Sequence, residues 1–138
     1  MTPQPITFLV QDHHDTAARG RLTVLGSTGI PVPVRRAFWI QGVQPGAVRG
    51  DHAHRKTTQV VTMLRGSACV EVRTAQGSRS WIMTERDHAV VVPPMHWLVL
   101  TGFTHGALMM VLASEPYDAA DYIRDFAEFT RLSQETTQ

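Results

Sequence analysis

The 138-residue chain reads as an all-β fold, a small jelly-roll barrel with an N-terminal strand arm and a C-terminal helix. Two observations carry that reading. From Arg36 onward, short β-rich runs recur, each closed by a turn signal, and many short strands at such spacing build a sandwich or a barrel. A helical period appears near the C-terminus, where Tyr122, Ile123, Phe126 and Phe129 fall three and four apart.

The arm occupies residues 1–34. Pro3 and Pro5 precede an apolar run over 6–10 that reads as a first edge strand, and the polar stretch 11–15 that follows reads as a turn with His13 and His14 solvated. Residues 19–25 form a second short strand, closed by Gly26 to Gly29. Residues 30–34 are too proline-rich for a central strand, because Pro31 and Pro33 each remove a ladder donor. An arm of this kind cannot bury its own apolar face, so the chain is expected to dimerise through it.

The regular part begins with residues 36–41 and continues with 58–64, 68–73, 80–83, 88–92, 97–100 and 107–113. Between these stand Pro45-Gly46, Arg65-Gly66, Gln76-Gly77, Pro93-Pro94 and Thr101-Gly102, residues that favour turns for distinct backbone reasons. The amphipathic helix is expected over 118–132, with Asp118 as its N-cap and Asp121 in the first turn, followed by a frayed polar tail. The whole chain, 1–138, is read as one domain, a length sufficient for a core without disulfides.

Composition excludes several classes. Thirteen Lys and Arg against twelve Asp and Glu leave a net charge of +1, which offers nucleic acid no cationic surface. A lone thiol, Cys69, sits in an apolar run as a small buried hydrophobe, and it allows no disulfide framework. No apolar run approaches the roughly eighteen residues that span a bilayer, and the N-terminus carries no basic-then-apolar leader. These features together predict a cytoplasmic protein. Lys56 is the single lysine, so the cationic side chains are otherwise arginine, the residue best suited to bidentate phosphate contacts.

The informative stretch runs from Gly46 to Gly66. His52 and His54 are two apart, so on a strand both imidazoles leave one face. Five residues separate Gly46 from His52, four separate His54 from Gln59 and six separate Gln59 from Gly66. That is the spacing of the first motif of cupin barrels, with Gln59 where the motif has glutamate. Cupins commonly hold a metal with this glutamate, the two histidines and a fourth histidine from a second motif. Here a neutral amide replaces the carboxylate, and Leu98 falls at the fourth position, so a metal is not expected. A metal-free histidine pair suits proton transfer, because imidazole titrates near neutral pH. Residue Gly50, between Arg49 and His52, marks a bulge that would bring those two side chains to the same face.

A narrower resemblance covers nearly the whole chain. Asp15-Thr-Ala-Ala-Arg-Gly-Arg-Leu22, Ile30-Pro31 with Arg35-Arg36, Arg49-Gly-Asp-His-Ala-His54 and Pro94-Met-His-Trp97 carry its first part. Met109-Met-Val-Leu-Ala-Ser114-Glu-Pro-Tyr-Asp118 and Asp121-Tyr-Ile-Arg124 carry the rest. Together they resemble the sugar 3,4-ketoisomerases that act on dTDP-4-oxo-6-deoxyglucose. The resemblance implies a jelly-roll cupin that needs no metal or other cofactor and forms a homodimer by exchanging N-terminal strands. It also implies that a ketone moves from C4 to C3 of a dTDP-linked hexose through an enediol. His52 corresponds to the base and His54 to its partner. Arg49 and Gln59 would stabilise the enediolate, Arg35 and Arg36 would hold phosphate, and Trp39 or Trp97 would stack on thymine. Two stretches depart from the family: Phe38 and Trp39 stand where it has Tyr-Tyr, and Trp97 is followed by Leu98 instead of histidine. Two other functions fit the same residues, a nucleotide-sugar-binding cupin without catalysis and a metal-dependent cupin of another function.

Overall fold

The computed structural model describes residues 5–137, so Pro3 and the start of the expected arm lie outside the described residues. The strands are β1 (Thr7–Leu9), β2 (Gln11–Thr16), β3 (Gly20–Leu25), β4 (Arg36–Gln41), β5 (Arg49–His54) and β6 (Gln59–Arg65). They continue with β7 (Ser67–Thr74), β8 (Gly77–Thr84), β9 (Ala89–Val92), β10 (Trp97–Thr101), β11 (Leu108–Ala113) and β12 (Tyr122–Ile123), and the helix α1 spans Phe126–Thr137. One sheet has the order β1-β9-β6-β11-β4 and a second has β12-β5-β10-β7-β8, while β2 and β3 form a separate two-stranded pair. The large sheets face one another as a jelly-roll-like sandwich. Because no ladder joins their edges among the described residues, the expected barrel is not closed.

Alternation along the strands builds the core. Val61, Met63, Met109 and Val111 from the first sheet meet Val70, Val72, Leu98 and Leu100 from the second, all nearly inaccessible. Each such side chain removed from water contributes roughly 1.5–3 kcal/mol. The outer face of the second sheet is covered by α1, where Ala53, Trp97, Val99 and Ile123 pack with Phe129. Val60, Ala89 and Val91, on the outer face of the first, are covered by Leu9, Leu25 and Ile30 from the N-terminal region. The turn before β7 needs Gly66: its φ is 73°, and an added Cβ would lie 2.6 Å from Thr104 Oγ1.

Three expectations are corrected. Residues 11–15, expected as a turn, are most of β2, because every residue from Gln11 to Thr16 finds a partner in β3 despite the polar side chains. The helix expected from Asp118 begins only at Phe126. Asp118 does cap, but what it caps is a 3₁₀ turn over Ala119–Asp121, accepting from the Ala120 amide. Tyr122 and Ile123 then extend as a strand against His54 and Ala53, and the Asp125 carboxylate accepts from the Ala127 amide at the true helix start. The tail expected to fray continues the helix to Thr137, with Ser133 1% exposed. No helix among the described residues is long and apolar enough to cross a membrane.

Candidate active site

The site is built on β5, and an irregularity in its pairing aims the side chains. His52 lies opposite Leu98 and Gly50 opposite Val99, so Asp51 is the extra residue of a bulge. Gly50 has φ 72° and Asp51 φ 58°, and a Cβ on Gly50 would stand 2.9 Å from the Leu98 carbonyl oxygen. Only glycine fits there without strain. The Asp51 carboxylate accepts a 3.1 Å hydrogen bond from Trp97 Nε1, which pins the bulge to the second sheet. In consequence Arg49 and His52 line the same cavity, as the sequence predicted, together with Phe38, Gln59 and Leu98. That cavity measures about 60 Å³, far below the ~300 Å³ or more that encloses a drug-sized ligand. It has room for only a small part of a ligand of that size. A larger groove of about 290 Å³, lined by Val72, Gly77, Arg79 and His96 among others, contains neither His52 nor His54.

Hydrogen bonding fixes both imidazoles. His52 Nδ1 is 2.9 Å from the Gly50 carbonyl oxygen, and a carbonyl only accepts, so Nδ1 carries the proton and Nε2 the lone pair. His54, 4% exposed, places its Nδ1 2.8 Å from Asp121 Oδ2. Asp121 also accepts from the Lys56 amide at 2.7 Å and from the Thr57 hydroxyl. The two rings stand 5.0 Å apart, nearly perpendicular, and Tyr122 packs on both, its centroid 4.9 Å from His52 and 4.4 Å from His54.

Electrostatics keep this pair neutral. Burial lowers the pKa of His52 below 6.5, and the positive charges of Arg124 and Arg36 add to the effect against the opposing Gly50 carbonyl and Asp51. Burial likewise lowers His54, outweighing the hydrogen bond to Asp121. The contact between His54 and Asp121 is therefore a neutral imidazole donating to a carboxylate, not an ion pair. For Asp121 burial acts upward, but the donors Thr57, His54 and the Lys56 amide outweigh it and hold the group below the usual carboxylate value.

The remaining expected residues divide. Arg36 reaches the site: its guanidinium lies over the Phe38 and Tyr117 rings, and Nη1 donates to the Tyr122 hydroxyl at 3.3 Å. Arg35 points outward and pairs with Glu115 at 3.3 Å. Trp39 is 63% exposed on the outer face of the first sheet, since Phe38 and Ile40 take the inner face. Trp97, expected as a stacking platform, is 2% exposed with its ring against Phe126 and Phe129, so it cannot receive a base. Sequence reasoning did not assign Asp121, Thr57 or Tyr122 to the site, although Asp121-Tyr-Ile-Arg124 stood out as a motif. Arg124 belongs to the cluster too, 4.4 Å above the Tyr122 ring. Among the described residues no group of three or more histidine, cysteine, aspartate or glutamate side chains is placed to hold a metal.

Comparison with known proteins shows the family. The family model described as FdtA: WxcM-like, C-terminal matches residues 6–134. A curated relative, TDP-4-oxo-6-deoxy-alpha-D-glucose-3,4-oxoisomerase of Aneurinibacillus thermoaerophilus, is 31% identical over 115 residues, 83% of each chain. Among solved structures, a 3,4-ketoisomerase from Helicobacter canadensis is 30% identical with TM-score 0.86, over 94% of this chain and 97% of that one. An asparagine-for-histidine variant of the 3,4-ketoisomerase QdtA from Thermoanaerobacterium thermosaccharolyticum, in complex with TDP-4-keto-6-deoxyglucose, is 26% identical with TM-score 0.88 over 94% of each chain.

Proposed function

This chain belongs to the FdtA family (WxcM-like, C-terminal), and from that membership and the geometry of β5 we propose that it is a nucleotide-sugar 3,4-ketoisomerase, moving the keto group of a dTDP-4-oxo-6-deoxyhexose from C4 to C3. The observation that carries this reading is the pair of neutral imidazoles at β5, each with Nδ1 committed to an oxygen acceptor. Both Nε2 atoms are thereby basic, and a poised base is what abstraction of a proton beside a ketone requires. His52 Nε2 takes the proton from C3. Arg49, brought beside it by the bulge, stabilises the oxyanion that develops on O4, and Gln59 supplies a further hydrogen bond in the same cavity. Apolar Leu98 and Phe38 exclude water from the enediol. Outside the cavity, Arg36 and Arg124 give the mouth a cationic side for the diphosphate. Tyr117, 64% exposed and 5.6 Å from Tyr122, offers the aromatic surface that Trp39 and Trp97 do not.

The working unit is proposed to be a homodimer that exchanges N-terminal strands. β1 pairs with β9 of its own chain, and an exchanged arm would form the same ladder on a second copy at little cost in contacts. Exposed Trp39 and Leu22, both 63% accessible, are the kind of surface such an interface covers.

The decisive experiment is incubation with dTDP-4-oxo-6-deoxyglucose in deuterated water, followed by NMR. Deuterium at C3 of recovered substrate and at C4 of a 3-keto product is the expected result. Tight binding with no label in either position would make the protein a nucleotide-sugar-binding cupin instead.

A further inference from the structure

The inner face of the second sheet changes character at one end. Over most of its extent it is aliphatic, with Val70, Val72, Leu98 and Leu100 all nearly inaccessible. Beyond Val72 the inward positions turn polar or small. Val72 pairs with Arg79 and Thr74 with Gly77 in the β7–β8 ladder, and paired residues share one side of a sheet, so Arg79, Thr74 and Gly77 continue the face that Val72 occupies. The groove of about 290 Å³ opens there, between this corner and Pro5 and Ile6 ahead of β1, with buried His96 at its back. A Cβ added to Gly77 would meet nothing within 4 Å, so that side of the groove stands open.

The chemistry of the groove favours an anion. The Arg79 guanidinium rests against the Phe8 and Trp81 rings, 5.4 Å from each centroid, which orders a long side chain without consuming its N–H groups. Among the described residues Arg79 makes no ion pair, and no aspartate or glutamate lines the groove. Beside it the Thr74 hydroxyl accepts from the Gln76 backbone amide at 3.2 Å and keeps its own hydrogen to donate, while the Gln76 side chain can donate and accept. Val72, Ile6 and Pro5 supply an apolar wall. An ordered cation, a few convergent polar groups and an apolar wall, in a volume near the ~300 Å³ where small-ligand pockets begin, make up a small-molecule site.

We propose that this groove is a second ligand site, one that takes a small phosphorylated sugar. Arg79 holds the phosphate with its planar fork of donors, Thr74 and Gln76 bond to sugar hydroxyls, and Val72 with Ile6 receives the C–H face of the ring. The volume suits one hexose with one phosphate and is too small for a nucleotide sugar. This site is independent of the ketoisomerase reading. His52, Leu98, Val72 and Arg79 are successive ladder partners on four strands, so at about 4.8 Å per strand the backbones of His52 and Arg79 lie roughly 14 Å apart. Leu98 and Val72, 3% and 4% exposed, fill the interior between the two openings.

The test titrates glucose 1-phosphate into the ¹⁵N-labelled full chain, with inorganic phosphate and glucose as separate arms. Saturable shifts are expected at the amides of Thr74, Gln76, Gly77, Arg79 and His96, and at Nε of Arg79, with each separate arm weaker by roughly tenfold or more. Arg79→Gln should cost at least about tenfold in affinity, and Arg79→Lys, which keeps the charge but not the fork, should recover part of it. Thr74→Val leaves the ring contacts of Arg79 untouched and should weaken binding several-fold, so it serves if Arg79→Gln does not fold. Shifts centred on Gly50, His52 and Gln59, or release of the probe by dTDP, would place it in the histidine cavity and overturn the second site. Affinity unchanged in Arg79→Gln and Thr74→Val, an equal response to phosphate or to glucose alone, or no saturable shift up to about 10 mM would overturn it as well.

Discussion

Trp97 Nε1 donates to Asp51 Oδ1 across 3.1 Å, joining the helix-covered face of the second sheet to the bulge that aims the site. Trp97→Phe keeps the ring packed on Phe126 and Phe129 but removes that donor. The hydrogen bond contributes about 1 kcal/mol, so Tm should drop by roughly 3–5 °C while kcat falls several-fold. Gly50→Ala should do more. It adds left-handed strain of about 1–2 kcal/mol and drives Cβ to 2.9 Å from the Leu98 carbonyl oxygen, so the bulge must shift and Arg49 must leave the cavity. Thermal melts and steady-state kinetics of the two variants check this, and a fully active Gly50→Ala protein would refute the role given to the bulge.

The bulge was legible in the sequence because a glycine between two candidate site residues of opposite parity has a mechanical meaning. β4 was legible to the residue, Arg36–Gln41, because its inward and outward positions alternate without interruption. Parity also held unused information: if Leu98 faces the cavity, Trp97 faces α1, and if Phe38 faces inward, Trp39 does not. Asp121 was not legible as a partner of His54, 67 positions earlier, because the contact exists only once β12 has added itself beside β5. Tyr122 and Ile123 kept a helical period with Phe126 and Phe129 although they lie on a strand, since both elements bury one side against the same sheet. β2 stayed hidden for the opposite reason: its polar residues are ordered by a ladder with β3, and no apolar pattern announces it.

The histidine pair sets a pH dependence with a definite sign. Both folded-state pKa values lie below the ordinary 6.5, chiefly through burial, so between those values and 6.5 the unfolded chain binds more protons than the folded one. Stability then rises with pH through that window and is flat above it as far as these groups are concerned. Activity should show an acid limb below 6.5 for the same reason, since the bases must be neutral to accept. Denaturant melts and kcat/KM profiles between pH 5 and 8, done with His52→Asn and His54→Asn as references, check both statements. A limb above 6.5 would contradict the burial argument.

Chelation should leave turnover intact. Gln59 offers no carboxylate and Leu98 offers no donor, which leaves only the two histidines of the four-ligand set. Protein dialysed against EDTA and assayed in metal-free buffer should retain its rate; a stoichiometric ion by elemental analysis, with activity lost on its removal and restored on its return, would end the metal-free reading.

The N-terminal region should decide the assembly. Leu9, Leu25 and Ile30 cover Val60, Ala89 and Val91, and Gln11 Nε2 donates to the Asp87 carbonyl oxygen at 2.8 Å. Deleting residues 1–14 removes β1 and most of β2, exposing the β9 edge and part of that apolar face. Sedimentation of the truncated chain should show monomer or aggregate where the parent shows dimer. A compact, stable dimer after truncation would rule out the exchanged arm as the interface.

His52→Asn separates the two imidazoles by function. Asparagine keeps much of the size and some of the hydrogen bonding near Gly50, yet it cannot accept a proton at neutral pH, so dTDP-sugar affinity should stay within a few-fold while turnover falls by on the order of 10²-fold or more. Exchange at C3 should fall equally, because the other polar side chains lining the cavity, Arg49 and Gln59, offer hydrogen-bond donors and no base. His54→Asn should behave differently. With His52 intact, C3 can still be deprotonated and washed out with deuterium, so substrate exchange should outrun product formation in a variant whose lost imidazole only orients the sugar or relays a proton. Isothermal titration gives the affinities, and one NMR time course in deuterated water gives both rates. A His52→Asn protein that exchanges C3 at the parent rate would remove His52 as the base, and equal losses of exchange and turnover in His54→Asn would place both histidines on the carbon proton.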